Sequence, residues 1–269
     1  MTDQLIVSIF QMNSGPDVAK NLNDVLQAII VASKSHAAQL LVLPEVCLFR
    51  KQKQEDGFIT FSLDQTEITQ IQSEAKKQKI HVVLGSISKR SVGKSFSTQV
   101  VIDAEGKIMA TYHKIHLFNA KIQNQKILES AFFKKGKEPC LINILGWKIG
   151  LSICYDLRFP ELFRHYAKQG MDLILCPSSF MHETGQAHWE VLLRARAIEN
   201  QCYVVAPNQV GFGAQNKPTY GHSLAIDPWG KIIHQASSDQ VEQFAVTLNK
   251  RYLDHVRQTL PALTHRQLG

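Results

Sequence analysis

Residues 148–162 read KIGLSICYDLRFPEL and indicate a strand, a turn and a helix in direct succession. Lys148–Ile153 is an apolar run of strand length, and Pro160 begins a helix because proline is favoured in the first helical turn. Cys154 lies between the two elements. A strand that turns into a helix around a cysteine has the form of a nucleophile elbow, which exposes the side chain and frees the next backbone N–H for an oxyanion.

The elements on either side of this stretch repeat one plan. Apolar periodicity predicts a strand, a helix, a strand, a helix and a strand in each half of the chain. In the second half they are Lys148–Ile153, Pro160–Gln169, Asp172–Pro177, His188–Asn200 and Cys202–Ala206. In the first half they are Leu5–Met12, Asp17–Ala37, Leu40–Pro44, Asp64–Lys79 and Ile80–Ser88.

Each half then closes with a predicted hairpin of similar sequence. The turns read IDAEGKI at residues 102–108 and IDPWGKI at 226–232, and glycine supplies the left-handed turn position in both. Continuous apolar strands such as Leu40–Leu43 must be covered on both faces. The sequence therefore predicts an α/β fold, a four-layer α-β-β-α sandwich with an internal pseudo-twofold, and we expect one domain over residues 1–269.

Three polar side chains follow predicted strands and are candidates for catalysis. Glu45, Lys114 and Cys154 stand where functional groups gather in α/β folds, at carboxyl ends of strands. Each also has an ordinary interpretation, as a surface carboxylate, a solvated lysine and a buried core thiol. The Tyr-Asp-x-Arg that follows Cys154 favours catalysis, since a core thiol does not require it. Convergence of the three would decide between the two interpretations.

Composition narrows the classes of protein. The apolar run near the N-terminus is too short to span a bilayer and has no basic leader, so we expect a cytoplasmic protein without membrane contact. Five cysteines without a CxxC pair indicate neither a disulfide framework nor a zinc knuckle, and no His-x-x-x-His pair or glycine-rich phosphate loop is present. We expect no metal and no cofactor.

The formal charge of +7 has two interpretations. It can be an ordinary basic surface, or a positive field that attracts a small anionic substrate. A nucleic-acid partner is not expected, because the densest basic cluster is only residues 134–137 and no binding motif accompanies it.

Three stretches resemble the hallmarks of the nitrilase, or carbon–nitrogen hydrolase, superfamily. They are Leu43-Pro44-Glu45, residues 112–118 (YHKIHLF) and residues 153–162 (ICYDLRFPEL). The resemblance implies the α-β-β-α sandwich, with Glu45 as general base, Lys114 as oxyanion partner and Cys154 as a nucleophile that forms a thioester. It also implies that Glu129 is a second glutamate of the site. It further implies a homodimer or a higher homo-oligomer, in which copies pair through the helices after Pro160 and around Trp189 to Glu199.

Residues 187–199 and 260–266 are similar to the branch that hydrolyses deaminated glutathione to 2-oxoglutarate and cysteinylglycine. Within that analogy, Arg158 is a candidate for binding a substrate carboxylate. The further candidate substrate-binding residues are Tyr155, Phe118, His182 and Thr184.

Two departures from the family pattern bear on the substrate. Asn119 stands where relatives usually have Asp, and Ser178–His182 is a divergent version of a loop that shapes the pocket. The alternatives are therefore an ω-amidase that acts on 2-oxoglutaramate, an N-carbamoyl hydrolase, and a catalytically silent binding protein that keeps the fold.

Overall fold

The computed structural model describes residues 3–122, 125–213 and 216–268, and it contains two six-stranded sheets. Strands are numbered in chain order. The first sheet comprises β1 (Gln4–Gln11), β2 (Leu40–Val42), β3 (His81–Lys89), β4 (Phe96–Ile102), β5 (Ile108–His113) and β16 (Glu242–Asn249). The second comprises β8 (Leu141–Ile144), β9 (Trp147–Leu151), β10 (Leu173–Leu175), β11 (Tyr203–Ala206), β14 (Leu224–Ile226) and β15 (Ile232–Gln235).

The two sheets have the same strand order. In the first, the order is β16-β1-β2-β3-β4-β5, and β1, β2 and β3 are parallel. In the second, the order is β8-β9-β10-β11-β14-β15, and β9, β10 and β11 are parallel. An antiparallel strand precedes the parallel set and an antiparallel hairpin follows it in each case. The predicted pseudo-twofold is thus present in the topology.

The two hairpin turns are alike down to their hydrogen bonds. Asp103 Oδ1 accepts from the N–H groups two and four residues later, at 2.9 and 2.8 Å, and Asp227 Oδ1 does the same at 2.9 Å for both. Gly106 and Gly230 have φ of 78° and 88°, in the region that favours glycine. The repeated sequence therefore encodes one turn twice.

Helices cover the outer face of each sheet. These helices are α1 (Val18–Lys34), α2 (Thr66–Gln78), α3 (Pro160–Lys168) and α4 (His182–Asn200). Helix α5 (Lys250–Thr259) instead contributes Leu253 to the core between the sheets. One apolar core lies between the sheets and joins Val7 to Leu151 and Val205. A second packs α1 and α2 on the first sheet, and a third packs α3 and α4 on the second. These three cores confirm the four-layer sandwich.

The structure differs from the predicted elements at a few places. Helix α4 begins at His182, six residues before the predicted start, and strand β16 with helix α5 follows where no element was predicted. Two short hairpins, β6 (Asn119–Ile122) with β7 (Gln125–Leu128) and β12 (Phe212–Gly213) with β13 (Lys217–Pro218), also lie outside the sheets. Their short strands carry too little periodicity to detect.

The length and hydropathy of the helices bear on membrane insertion. Within residues 3–122, 125–213 and 216–268, none of them is both long and apolar enough to cross a membrane.

Candidate active site

The predicted catalytic residues converge on one cavity of about 530 Å³. Glu45 follows β2, Lys114 follows β5 and Cys154 follows β9, so two residues come from the first sheet and one from the second. Glu129 begins the 3₁₀ turn Glu129–Ala131 and lines the same cavity. Strand ends of the two halves therefore meet, as the pseudo-twofold requires.

Lys114 is the centre of the charged groups. Its Nζ lies 2.9 Å from Glu45 Oε1 and 3.0 Å from Glu129 Oε1, and its side chain is only 2% exposed. Burial by itself lowers the pKa of Lys114, but the charges of Glu129, Glu45 and Cys154 outweigh it and hold that pKa well above the usual value. Lys114 is therefore a cation at neutral pH.

The two carboxylates are fixed by backbone groups as well as by the lysine. Glu45 Oε2 accepts from the N–H of Ser179 at 2.8 Å, and Glu129 Oε2 accepts from the N–H of Phe118 at 2.5 Å. Burial raises the pKa of Glu129, and the charge of Glu45 adds to this while Lys114 opposes it. The site thus holds two close carboxylates that share one cation.

Cys154 has the backbone of a nucleophile elbow. Its φ is 46°, which residues with a Cβ rarely adopt, and its N–H donates to Pro177 O at 3.0 Å. Burial and the charge of Glu45 raise the pKa of the thiol well above its usual value, although Lys114 and the N–H of Ser179 act in the opposite direction. The resting sulfur is a neutral thiol, so its attack requires a base.

The other cysteines are placed differently. Cys47, Cys176 and Cys202 are fully buried in the cores, and Cys140 is partly exposed outside the cavity. Burial raises the pKa of both Cys47 and Cys176 to about 12. Among the five thiols, Cys154 is the one that faces the cavity.

Four of the five candidate substrate-binding residues line the cavity. Tyr155, Arg158, Phe118 and Thr184 do so, and the rings of Phe118 and Tyr155 lie 4.9 Å apart. Arg158 lies over the rings of Tyr155 and Phe180, at 5.8 and 5.4 Å from their centroids. His182 does not join them: it is exposed at the start of α4 and its ring packs on Tyr220, 5.8 Å away.

The cavity wall also contains residues that the sequence did not indicate. An aromatic group forms one part of it, in which the rings of Phe58 and Phe132 stack at 5.3 Å and Phe133 meets Phe58 edge-on at 5.4 Å. These residues come from loops, where apolar periodicity gives no signal. In the sequence, the adjacent Phe132 and Phe133 are the only sign of this aromatic wall.

The remaining charges around the cavity are mostly positive. Arg50 is 4% exposed and hydrogen-bonds Ser14 O, Asn13 Oδ1 and Val210 O at 2.8 to 2.9 Å. The lining has six basic and two acidic residues, namely Arg50, Lys51, Lys114, Lys126, Arg158, Lys217, Glu45 and Glu129. This balance favours an anionic ligand over a cationic one.

A buried hydrogen-bond network lies under the elbow, and the sequence does not predict it. The Asp156 carboxylate accepts hydrogen bonds from Tyr112 Oη at 2.7 Å and from His116 Nδ1 at 2.7 Å. These residues belong to the stretches 112–118 and 153–162. The spacing of the two stretches in the sequence does not show that their side chains are in contact. Within the described parts of the chain, no group of three or more His, Cys, Asp or Glu side chains is arranged to hold a metal ion.

Comparisons with known proteins agree with this geometry. The model of the carbon–nitrogen hydrolase family matches residues 6–258. The deaminated glutathione amidase of Synechocystis is 35% identical over 267 residues, which is 97% of each chain. The nitrilase and fragile histidine triad fusion protein NitFhit of Drosophila melanogaster is 35% identical over 265 residues, 97% of this chain and 57% of that protein.

The fold comparison gives the same family. The crystal structure of the Caenorhabditis elegans NitFhit protein matches with a TM-score of 0.87 at 34% identity, covering 99% of this chain and 66% of that one. This chain therefore spans little more than half of the fly fusion protein, and the similarity lies in one part of it. From its sequence and its fold together, the chain belongs to the carbon–nitrogen hydrolase family.

Proposed function

We propose that this chain is a cysteine amidase that hydrolyses the C–N bond of a small anionic amide, with deaminated glutathione as its substrate. The observation that carries the proposal is the meeting of Cys154 with the Glu45–Lys114–Glu129 group in a cavity with excess positive charge. A catalytically silent relative would have no chemical reason to keep a buried lysine between two carboxylates.

The arrangement supports a two-stage reaction. In the first stage the Cys154 sulfur attacks the amide carbon, and Glu45 takes the thiol proton as the C–S bond forms. The carbonyl oxygen becomes an oxyanion beside Lys114 and the N–H of Tyr155, which stands at the start of the 3₁₀ turn where N–H groups lack helical partners. The C–N bond then breaks, and Glu45 returns the proton to the leaving amine.

The second stage regenerates the enzyme. Water attacks the thioester carbon while Glu45 takes a proton from it, and the C–S bond breaks. The proton passes to the departing sulfur, so the products are a carboxylic acid and the resting thiol. With deaminated glutathione the acid is 2-oxoglutarate, and the amine released in the first stage is cysteinylglycine.

Cavity size and lining bear on the leaving group. A cavity of about 530 Å³ lies within the range of sites for drug-sized ligands. An ω-amidase that acts on 2-oxoglutaramate releases only ammonia and does not need the aromatic wall of Phe58, Phe132 and Phe133. The larger substrate uses both the wall and the cations.

Competing substrates provide the test. We expect kcat/KM for deaminated glutathione to exceed that for 2-oxoglutaramate and for N-carbamoyl amino acids. Cys154→Ala should abolish turnover, while Cys140→Ser should retain it because Cys140 lies outside the cavity. A clear preference for 2-oxoglutaramate would make the chain an ω-amidase, and turnover by Cys154→Ala would remove Cys154 from the mechanism.

We also propose that two copies pair through α3 and α4. Val191 and Ile198 are 68% and 49% exposed on α4, and Trp229 in the neighbouring turn is 55% exposed. Such an apolar surface is typical of an interface. Sedimentation of the chain should give twice its monomer mass, and Val191→Glu should reduce that mass to the monomer value. A wild-type monomer would contradict the pairing.

A further inference from the structure

Asp156 is a fully buried carboxylate two residues beyond the nucleophile. Its Oδ1 accepts from the N–H of His116 at 3.0 Å and from His116 Nδ1 at 2.7 Å. Its Oδ2 accepts from the N–H of Ile153 at 2.9 Å and from the Tyr112 hydroxyl at 2.7 Å. Because a carboxylate only accepts, the Nδ1 of His116 carries the proton.

The donors to Asp156 flank the two reacting side chains. Ile153 directly precedes Cys154, whereas Tyr112 and His116 stand two residues before and two residues after Lys114. The first donor belongs to the second half of the chain and the other two belong to the first half. One carboxylate therefore links the backbone that carries the nucleophile to the backbone that carries the cation.

The elbow needs such support. Cys154 holds a φ of 46°, which is unfavourable for a residue with a Cβ and persists only where the surroundings impose it. The ring of His116 also stacks on Phe159, at 3.7 Å between centroids and 7° between planes, and Phe159 ends the 3₁₀ turn of the elbow. Asp156 and His116 thus hold the turn at both of its ends.

We propose that Asp156 is a positioning residue, which sets the place of the Cys154 thiol relative to Lys114 and Glu45 through its bonds to Ile153, Tyr112 and His116. It exchanges no proton with the substrate and does not line the cavity. The inference rests on the proposed cysteine amidase activity, because it assigns a task in that reaction.

Asp156→Asn keeps the size and shape of the side chain and changes its hydrogen-bonding groups, so it tests the positioning role by itself. The amide keeps one oxygen for the two donors of His116, but its NH₂ group then faces the N–H of Ile153, which loses its acceptor. The loss falls on the residue before the nucleophile. Asp172→Asn is the matched control, since Asp172 is also buried and also accepts from a backbone N–H, that of Lys148 at 3.0 Å, but does not line the cavity.

Two measurements on the purified 269-residue chain test the proposal. We expect kcat of Asp156→Asn to fall about 100-fold with KM nearly unchanged, because small displacements of reacting groups have effects of this size. Alkylation of Cys154 by iodoacetamide, followed by intact mass, should slow about tenfold, because a thiol displaced from Lys114 loses the positive charge that favours its thiolate. Asp172→Asn should lower Tm and leave both rates as in the wild type.

The outcomes are distinguishable. Wild-type kcat and alkylation rate in Asp156→Asn would overturn the proposal, as would equal losses in Asp172→Asn or a change confined to KM. If Asp156→Asn does not fold, His116→Gln takes its place, and an unchanged kcat and alkylation rate there would overturn the role. If the wild type hydrolyses none of the amides, the proposed function fails, and the alkylation rates still test the positioning of Cys154.

Discussion

Lys114 is the residue on which the charges of the site depend. Its Nζ is the cation shared by Glu45 and Glu129, and all three side chains are largely withdrawn from solvent. A buried ion pair contributes little net stability when intact, but loss of one partner leaves an uncompensated charge. In the proposed mechanism the same cation stabilises the oxyanion, so one side chain would then bear on both folding and turnover.

Replacement of Lys114 should therefore affect two properties. Lys114→Met is expected to lower the free energy of unfolding by about 3 kcal/mol, because two carboxylates remain without their cation. Turnover should fall by about 100-fold or more through loss of the oxyanion partner. Chemical unfolding and steady-state kinetics measure the two effects. Lys107→Met, at an exposed lysine of a hairpin turn, is the control and should change neither.

The protonation state of the Cys154 thiol should make its alkylation rate depend on pH. Because burial and Glu45 hold its pKa above the usual value, the thiolate fraction should still be rising as pH passes 9. The iodoacetamide rate at Cys154 should therefore increase without a plateau between pH 7 and 9. Since Lys114 lowers this pKa, Lys114→Met should shift the curve to still higher pH. A plateau near neutral pH would show a thiolate in the resting enzyme.

At the scale of elements, glycine allows the strand ends beside the cavity to approach each other. Gly85 in β3 lies against the carbonyl oxygen of Leu43, the backbone of Pro44 and the ring of Pro177. A Cβ at this position would overlap all three. The contact explains how β2 can end against β3 and direct Glu45 into the cavity.

Gly85→Ala should consequently displace the segment that carries Glu45. We expect kcat to fall together with a loss of about 2 kcal/mol in unfolding free energy, the usual cost of overpacking. Gly15→Ala is the matched control, because a Cβ there meets only the side chain of Gln52, at 3.6 Å or more. Wild-type kcat in Gly85→Ala would show that the strand end tolerates the shift.

The elements also show what the sequence could and could not predict. Strands such as β2 and β10 are continuous apolar runs, and the Asp-x-x-Gly turn occurs in both halves, so the sandwich was predictable from periodicity and turn chemistry. The convergence of Cys154 with Glu45 and Lys114 depends on how two sheets pack, which no local pattern encodes. The pairing of strand β16 with β1 joins residues more than 200 positions apart, and no local pattern encodes that either.

At the scale of the molecule, the two halves are interlocked and share the site. The first half supplies Glu45, Lys114 and Glu129, and the second supplies Cys154. Strand β16, from the end of the chain, completes the first sheet by pairing with β1 along its whole length. Neither half therefore contains a full site or both complete sheets.

This sharing predicts the behaviour of a divided chain. Residues 134–140 connect the halves without helix or strand, and Lys137 within them is exposed. Fragments 1–137 and 138–269 should each be inactive alone, and co-expression should restore measurable turnover because β16 binds the first fragment. Activity of either fragment alone would contradict the shared site, and co-purification on a tag carried by one fragment would report the association.

The matching strand registers also show which residues occupy equivalent positions in the two halves. Val7 pairs with Leu40 in the first sheet, and Ile149 pairs with Leu173 in the second. Counting from these equivalent pairs, Met12 in the first half corresponds to Cys154. In the same way, Ser178 in the second half corresponds to Glu45. Each half therefore contributes a different reactive residue at these equivalent positions, Glu45 from the first half and Cys154 from the second. The molecule thus has one reactive centre in a framework of two similar halves. A thiol-directed label that reacts in the cavity should therefore bind each chain once.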